Sequence, residues 1–283
     1  MIKKLCVIGA GTMGAGIAQV AIEKGIETTL RDVNDEFVQR GLKTVRTFIG
    51  KKLEKGKLTQ AEHDAILGRL KGSTDAREAA AGAEMVIEAV FENMALKQKI
   101  FAELDSICPK ETILASNTST LSISQIASVT GNPERVVGTH FFSPVPVMRL
   151  VEVIKGDKTD QAVVNSALEF CKEIGKTAIL AKDVPGFIVN RFLCLLYNEA
   201  ADQIYKGYAT AQDIDNGLKL GSNHPMGPVE IMDMAGVDVC NNALKALYEM
   251  TGEERYKPSP LFDQMIKENR LGRKTGRGFY EYK

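Results

Sequence analysis

The chain has 283 residues, 44% of them hydrophobic, and Lys plus Arg equals Asp plus Glu at 36 each. That length supports two domains with sizeable cores, and the balanced charge excludes the global positive field expected of a protein that binds nucleic acid or anionic membranes. Five scattered cysteines, Cys6, Cys108, Cys171, Cys194 and Cys240, never form a Cys-x-x-Cys pair, which argues against a disulfide framework or a zinc site and for a reducing cytoplasm.

No run approaches the ~20 apolar residues of a membrane span. The amino terminus enters a predicted strand by Lys3, which leaves no room for a cleaved signal and suggests a soluble, unprocessed protein.

Through roughly the first 180 residues, β-branched runs alternate with helical patterns: KKLCVIG, ETTLRD, EMVIEAV, TILAS and RVVGTH. Such alternation predicts a parallel sheet with crossover helices. The first strand runs into VIGAGTMGAGIAQVA, with Gly9, Gly11 and Gly14 between a strand and a helix. A bare Gly-x-Gly-x-x-Gly match is weak evidence, but in this setting it predicts a dinucleotide site. Gly9 would make the tight turn, Gly11 would admit a pyrophosphate, and Gly14 would let helix and strand pack closely. Thr12 and Met13 would open a helix whose amides face the phosphates.

The second strand ends in Asp32, 18 residues after Gly14. An acid there accepts hydrogen bonds from ribose hydroxyls and repels a 2′-phosphate, favouring NAD over NADP. Arg31 adjoins it, although strand alternation points that side chain the other way. The competing structural role for Asp32 is a cap for the following helix.

Residues 35 to 70 carry no strand-like run and are expected to form a helical hairpin insertion. Between Arg40 and Lys57 stand seven basic residues and one acid, Glu54. Such runs are usually solvated helix faces, but this one also suits a polyanionic ligand.

The TILAS strand ends in Ser116, Asn117, Thr118 and Ser119, on the edge where open α/β sheets bind ligands. Ser119 is a candidate donor to a substrate oxygen; capping the helix near Ile123 is the alternative. His140, one of three histidines, ends RVVGTH on the same edge, whereas His63 lies in a charged string and His224 in a Pro/Gly loop.

Nine residues separate His140 from Leu150, too few for a parallel crossover. The strand LVEVI should therefore turn back antiparallel and bring Glu152 to His140, and a carboxylate among apolar neighbours needs such a partner. A carboxylate on one imidazole nitrogen fixes the tautomer and leaves the other to exchange a proton with an alcohol or carbonyl. A pair that merely ties two strands together is the bland alternative.

A helix near 163–174, the strand KTAILA and the turn KDVPG close the first domain. Beyond it, 187–205 and 229–250 read as long helices, and Asn190 in PGFIVNR is an amide early in an otherwise apolar helix. The expected fold is α/β, a Rossmann-type mostly parallel sheet with antiparallel final strands over residues 1–184, followed by a smaller all-helical domain over 185–283.

Taken together, GAGTMGAGIA, EAVFEN, ASNTSTL, GTHFFSPVPVMRLVEVI, PGFIVNR, PMGPVEIMD and KTGRGFYEY run from end to end of the chain. In that order they closely resemble the 3-hydroxyacyl-CoA dehydrogenase family, and the overall length is most like its bacterial short-chain members. The resemblance implies reversible NAD-dependent interconversion of acetoacetyl-CoA and (S)-3-hydroxybutyryl-CoA, as in butanoate and fatty-acid metabolism. It also implies that His140 is the acid/base and Glu152 orients it, with Ser119 and Asn190 holding the reacting oxygen and the histidine's surroundings. By the same likeness Glu92, Lys97 and Asn117 lie near the cofactor, Lys51, Lys52 and Lys55 contact coenzyme A, and the helical domain forms a homodimer. Ser143 stands where many relatives carry Asn, which puts one cofactor contact in doubt. Two other readings remain: an NAD-binding structural protein of the same family, or a dehydrogenase of small free hydroxy acids.

Overall fold

The computed structural model describes residues 2–282. They form two compact units, one ending at Phe187 and one beginning at Ile188. Among the described residues no helix is long and apolar enough to cross a membrane.

The first unit is built on one eight-stranded sheet. Its strands are β1 (Lys4–Ile8), β2 (Glu27–Arg31), β3 (Leu70–Ser73), β4 (Met85–Glu88), β5 (Ile113–Ser116), β6 (Val136–Phe141), β7 (Leu150–Lys155) and β8 (Thr177–Lys182), in the order β3-β2-β1-β4-β5-β6-β7-β8. The first six run parallel; β7 is antiparallel to β6 and parallel to β8. The helices are α1 (Thr12–Glu23), α2 (Asp35–Glu54), α3 (Gln60–Leu67), α4 (Ala76–Ala80), α5 (Met94–Ile107), α6 (Ile123–Ala127) and α7 (Gln161–Glu173).

Alternation along β1 divides the core. Leu5 and Val7 pack on one face with Ile17 of α1, Val45 of α2 and Phe170 of α7. Cys6 and Ile8 pack on the other face with Phe101 of α5 and Ile126 of α6. Helices therefore cover both faces, which is why β4, β5 and β6 are buried at every position.

One expectation about the strands needs amending. The strand-free stretch after β2 ends in a strand, β3, whose LKGS sequence is too short and polar to read as one; Gly72 fits because a Cβ there would lie 2.6 Å from the Val38 side chain. The first compact unit ends at Phe187, whose side chain is 2% exposed within the core on the α5 and α6 face.

The second unit is helical: α8 (Val189–Tyr205), α9 (Ala211–Gly221), α10 (Pro228–Ala235), α11 (Val237–Thr251) and α12 (Pro260–Lys267). The single long helix expected over 229–250 is divided by Gly236, whose φ of +109° no helix contains. Two buried carboxylates organise this unit. Asp215 accepts from the amides of Val229 and Glu230 and from the Tyr280 hydroxyl at 2.6 Å. Asp233 accepts from the amides of Phe279 and Tyr280 and from the Tyr282 hydroxyl. They account for much of PMGPVEIMD and KTGRGFYEY, since a Cβ on Gly227 or Gly278 would collide with one of these carboxylates at about 2 Å.

Candidate active site

The glycine loop joins β1 to α1. Gly9 has φ +103° and a Cβ there would sit 2.6 Å from the Ala89 carbonyl oxygen; a Cβ on Gly14 would sit 1.8 Å from the Gly9 oxygen. The chain's own packing explains both. Gly11 is different: its φ is an ordinary −70°, and an added Cβ would meet nothing within 4 Å. Nothing in the protein requires glycine there, so the open space suits a group brought by a ligand. Gly11 is the N-cap of α1 and no side chain caps it, which leaves the amides opened by Thr12 and Met13 for an anion. These features fit a dinucleotide.

Asp32 follows β2 and is tied to the loop, accepting from the Ala10 amide through Oδ2 and from the Val33 amide through Oδ1, both at 2.7 Å. Each oxygen retains acceptor capacity. The helix-cap role belongs instead to Asn34, whose side chain accepts from the Phe37 amide. The Arg31 side chain donates to the Thr74 carbonyl.

At the carboxyl edge of β6, His140 is 4% exposed and pairs in register with Glu152 of β7, which is fully buried. Nδ1 lies 2.7 Å from Glu152 Oε2. With Glu152 ionised, Nδ1 carries the proton and Nε2 is the nitrogen able to exchange one with a ligand. The imidazole also lies 4.4 Å from the Phe142 ring and 5.8 Å from the Phe187 ring, centroid to centroid, so an apolar wall surrounds the pair.

The loop after β5 is held by carboxylates. Asn117 donates its amide to the Glu88 carbonyl and accepts from the Phe141 amide at 2.9 Å, linking β5 to the end of β6. Glu92 Oε1 accepts from the Thr118 hydroxyl and from the amides of Ser119 and Thr120 at 2.6, 2.8 and 2.9 Å. Ser119 does not cap α6; that role belongs to Ser122, itself bonded to Asp183. Lys97 is fully buried, with its ammonium 2.7 Å from Glu88 and 3.4 Å from Glu92. Burial alone would raise the Glu92 carboxyl, but the Lys97 ammonium and the hydrogen bonds from Thr118, Ser119 and Thr120 outweigh it and hold the group below the usual carboxylate range.

The remaining expected residues divide into three groups. Lys51 and Lys55 are exposed on a cavity of about 650 Å³ that extends from Gly11 to the wall formed by Pro144 and Val145. Lys52 lines the same cavity, but its ammonium is bonded to both oxygens of Glu23 at 2.7 Å. Ser143 is exposed just before Pro144, and Asn190 is the second residue of α8 in the other unit. The cysteines offer no nucleophile, since burial pushes the Cys6, Cys171 and Cys240 thiols up to about 12. Sequence reasoning passed over Glu88, although the clue was the same as for Glu152: a carboxylate closing an apolar strand, MVIE.

A glycine loop with an acid on the next strand, and a buried His–Glu pair on the same sheet edge, define an NAD-binding dehydrogenase of Rossmann type. Two family models match the chain: 3-hydroxyacyl-CoA dehydrogenase, NAD binding domain, over residues 4–184, and the C-terminal domain of the same family over 186–282. The chain belongs to the 3-hydroxyacyl-CoA dehydrogenase family. It is 45% identical to a probable 3-hydroxybutyryl-CoA dehydrogenase of Bacillus subtilis, with 99% of this chain and 98% of that one covered. It is 41% identical to the rat mitochondrial hydroxyacyl-coenzyme A dehydrogenase, covering 100% and 92%. The crystal structure of the (S)-3-hydroxybutyryl-CoA dehydrogenase PaaH1 from Ralstonia eutropha matches with a TM-score of 0.96 at 42% identity over the whole of both chains.

The glycines separate stability from binding. Gly14→Ala is expected to destabilise the fold by roughly 3 kcal/mol through overpacking, while Gly11→Ala leaves the unfolding midpoint unchanged and weakens NADH binding by about tenfold, or about 1.4 kcal/mol; thermal unfolding and fluorescence titration check the pair. Glu92 carries a pH dependence. Its folded pKa lies below the unfolded one, so its stabilisation is complete above about pH 4.3, the unfolded value, and is lost as pH falls through the folded value. Glu92→Gln should therefore cost stability at neutral pH and progressively less in acid, as read from denaturant unfolding across that range.

Proposed function

We propose that this protein interconverts acetoacetyl-CoA and (S)-3-hydroxybutyryl-CoA with NAD(H), and that His140 carries the proton. The observation that supports the reading best is the buried His140–Glu152 pair, 2.7 Å apart at the ligand edge of the sheet. When bound, the nicotinamide supplies or accepts the hydride. The glycine loop and the α1 amides would hold its pyrophosphate and Asp32 its adenosine ribose.

The protein's own residues handle the proton and the charge. In reduction, Nε2 of protonated His140 donates to the substrate's 3-oxygen; in oxidation it takes that proton back. Glu152 fixes the tautomer and offsets the imidazolium charge beside the Phe142 and Phe187 rings. The Ser119 hydroxyl donates to the same oxygen. A coenzyme A substrate draws support from the cavity beside the glycine loop, where Arg40, Lys51, Lys55 and Lys57 present positive charge to phosphate groups.

The second unit exposes Phe192, Tyr208 and Leu220 at 71%, 75% and 86%, which supports a homodimer formed through it. The five free, buried cysteines accord with a reducing compartment.

Nicotinamide absorbance with acetoacetyl-CoA tests the reaction. NADH should be oxidised rapidly, NADPH poorly, and His140→Ala should abolish turnover. Glu152→Gln should lower turnover by roughly 10²-fold or more with little change in substrate KM; unchanged turnover would refute the pair's role. Lys51→Ala with Lys55→Ala should raise that KM and weaken its salt dependence. In light scattering the protein should run at twice its chain mass, and a monomer alone would overturn the dimer.

A further inference from the structure

We infer that Glu88 is a positioning residue for the loop that carries Ser119, an inference that rests on the role assigned above to the Ser119 hydroxyl. Glu88 is the last residue of β4, pairs in register with Ser116 at the end of β5, and is fully buried. Its Oε2 accepts from the Ser116 hydroxyl at 2.7 Å, and its Oε1 from the Val90 amide and the Lys97 ammonium, each at 2.7 Å. The Glu88 carbonyl accepts from the Asn117 amide. Glu88 thus grips the root of the loop directly and reaches its tip through a second path. Lys97 stands between Glu88 and Glu92 Oε2, while Glu92 Oε1 holds Thr118, Ser119 and Thr120.

The division of labour follows from charge. Two carboxylates share one buried ammonium, which lies closer to Glu88 than to Glu92, at 2.7 against 3.4 Å. Without the Glu88 charge, Glu92 becomes the nearest counter-charge among the described residues for the fully buried Lys97 ammonium, and Coulomb attraction draws the two together. Closing Glu92 Oε2 on Lys97 shifts the carboxylate whose other oxygen holds the Thr118 hydroxyl and the Ser119 and Thr120 amides, so the loop loosens. A pair that served only to hold the fold would behave differently, because apolar side chains of similar volume often replace a buried ion pair with no loss of stability.

Glu88→Gln keeps the shape and the Ser116 bond but removes the charge. In the protein without cofactor, hydrogen exchange at the Ser119 and Thr120 amides should accelerate by about tenfold or more, while the β5 amides of Leu114 and Ala115 keep their protection. Turnover with acetoacetyl-CoA and NADH should fall about tenfold with KM within about twofold, and the same change made in a Ser119→Ala background should add almost nothing. Unchanged exchange at Ser119 and Thr120, or full additivity with Ser119→Ala, overturns the inference. If Glu88→Gln fails to fold, both readings are made on Glu88→Asp, which keeps the charge but sets it one methylene back from Lys97 and Ser116 and should accelerate exchange at Ser119 and Thr120 in the same direction by a smaller factor; unchanged exchange there overturns the inference. A wild-type protein inactive on acetoacetyl-CoA would count against the proposed reaction, and the exchange measurement alone would then decide the role of Glu88.

Discussion

The site depends on the reversal of one strand. β7 returns antiparallel beside β6 after a connection too short for a crossover, and the register of that pairing sets Glu152 opposite His140. A slip of one residue would turn the carboxylate to the other face of the sheet. The register is fixed by what surrounds it: Val151 and Val153 are both fully buried in one core layer, and β8 follows parallel on the outer side. The packing of the sheet therefore dictates which side chain meets the histidine. Glu152 is buried because it has that partner, and moving it would leave a charge unpaired in the core.

Carboxylates, three of them buried, hold several of the irregular segments. Glu88 and Glu92 hold the loop after β5, Asp183 holds the start of α6, and in the second unit Asp215 and Asp233 bind the last turns of the chain to α10. Each accepts two or more donors, and for Glu88, Asp215 and Asp233, which are buried, these offset the loss of hydration. Segments without regular hydrogen bonding are in this way tied to the elements beside them, and two of these acids converge on the loop where Ser119 would meet substrate.

Much of this was legible in the sequence where a local rule has a local cause. The glycine loop, Asp32, the parallel run of strands and the reversal at β7 all follow from spacing and periodicity over a few residues. What stayed hidden depended on distant partners. β3 is a strand because β2 offers it an edge and α2 packs over Gly72, not because LKGS favours one. Lys52 stands in the sequence beside Lys51 and Lys55 as a coenzyme A contact, yet Glu23, 29 positions away, holds its ammonium. Glu88 and Lys97 gave no sign of sharing a charge until α5 folded back over β4.

The sequence by itself determined the fold class, the dinucleotide loop and the identities of the histidine and its carboxylate, because these are written in short-range patterns that secondary structure obeys. Only the tertiary structure decided which charges face one another, which glycines serve packing and which leaves space for a ligand, and which acid holds the Ser119 loop. Those outcomes depend on distances between residues far apart in the chain, and burial, which makes an unpaired charge costly, arises only once the sheet and its helices have closed over them.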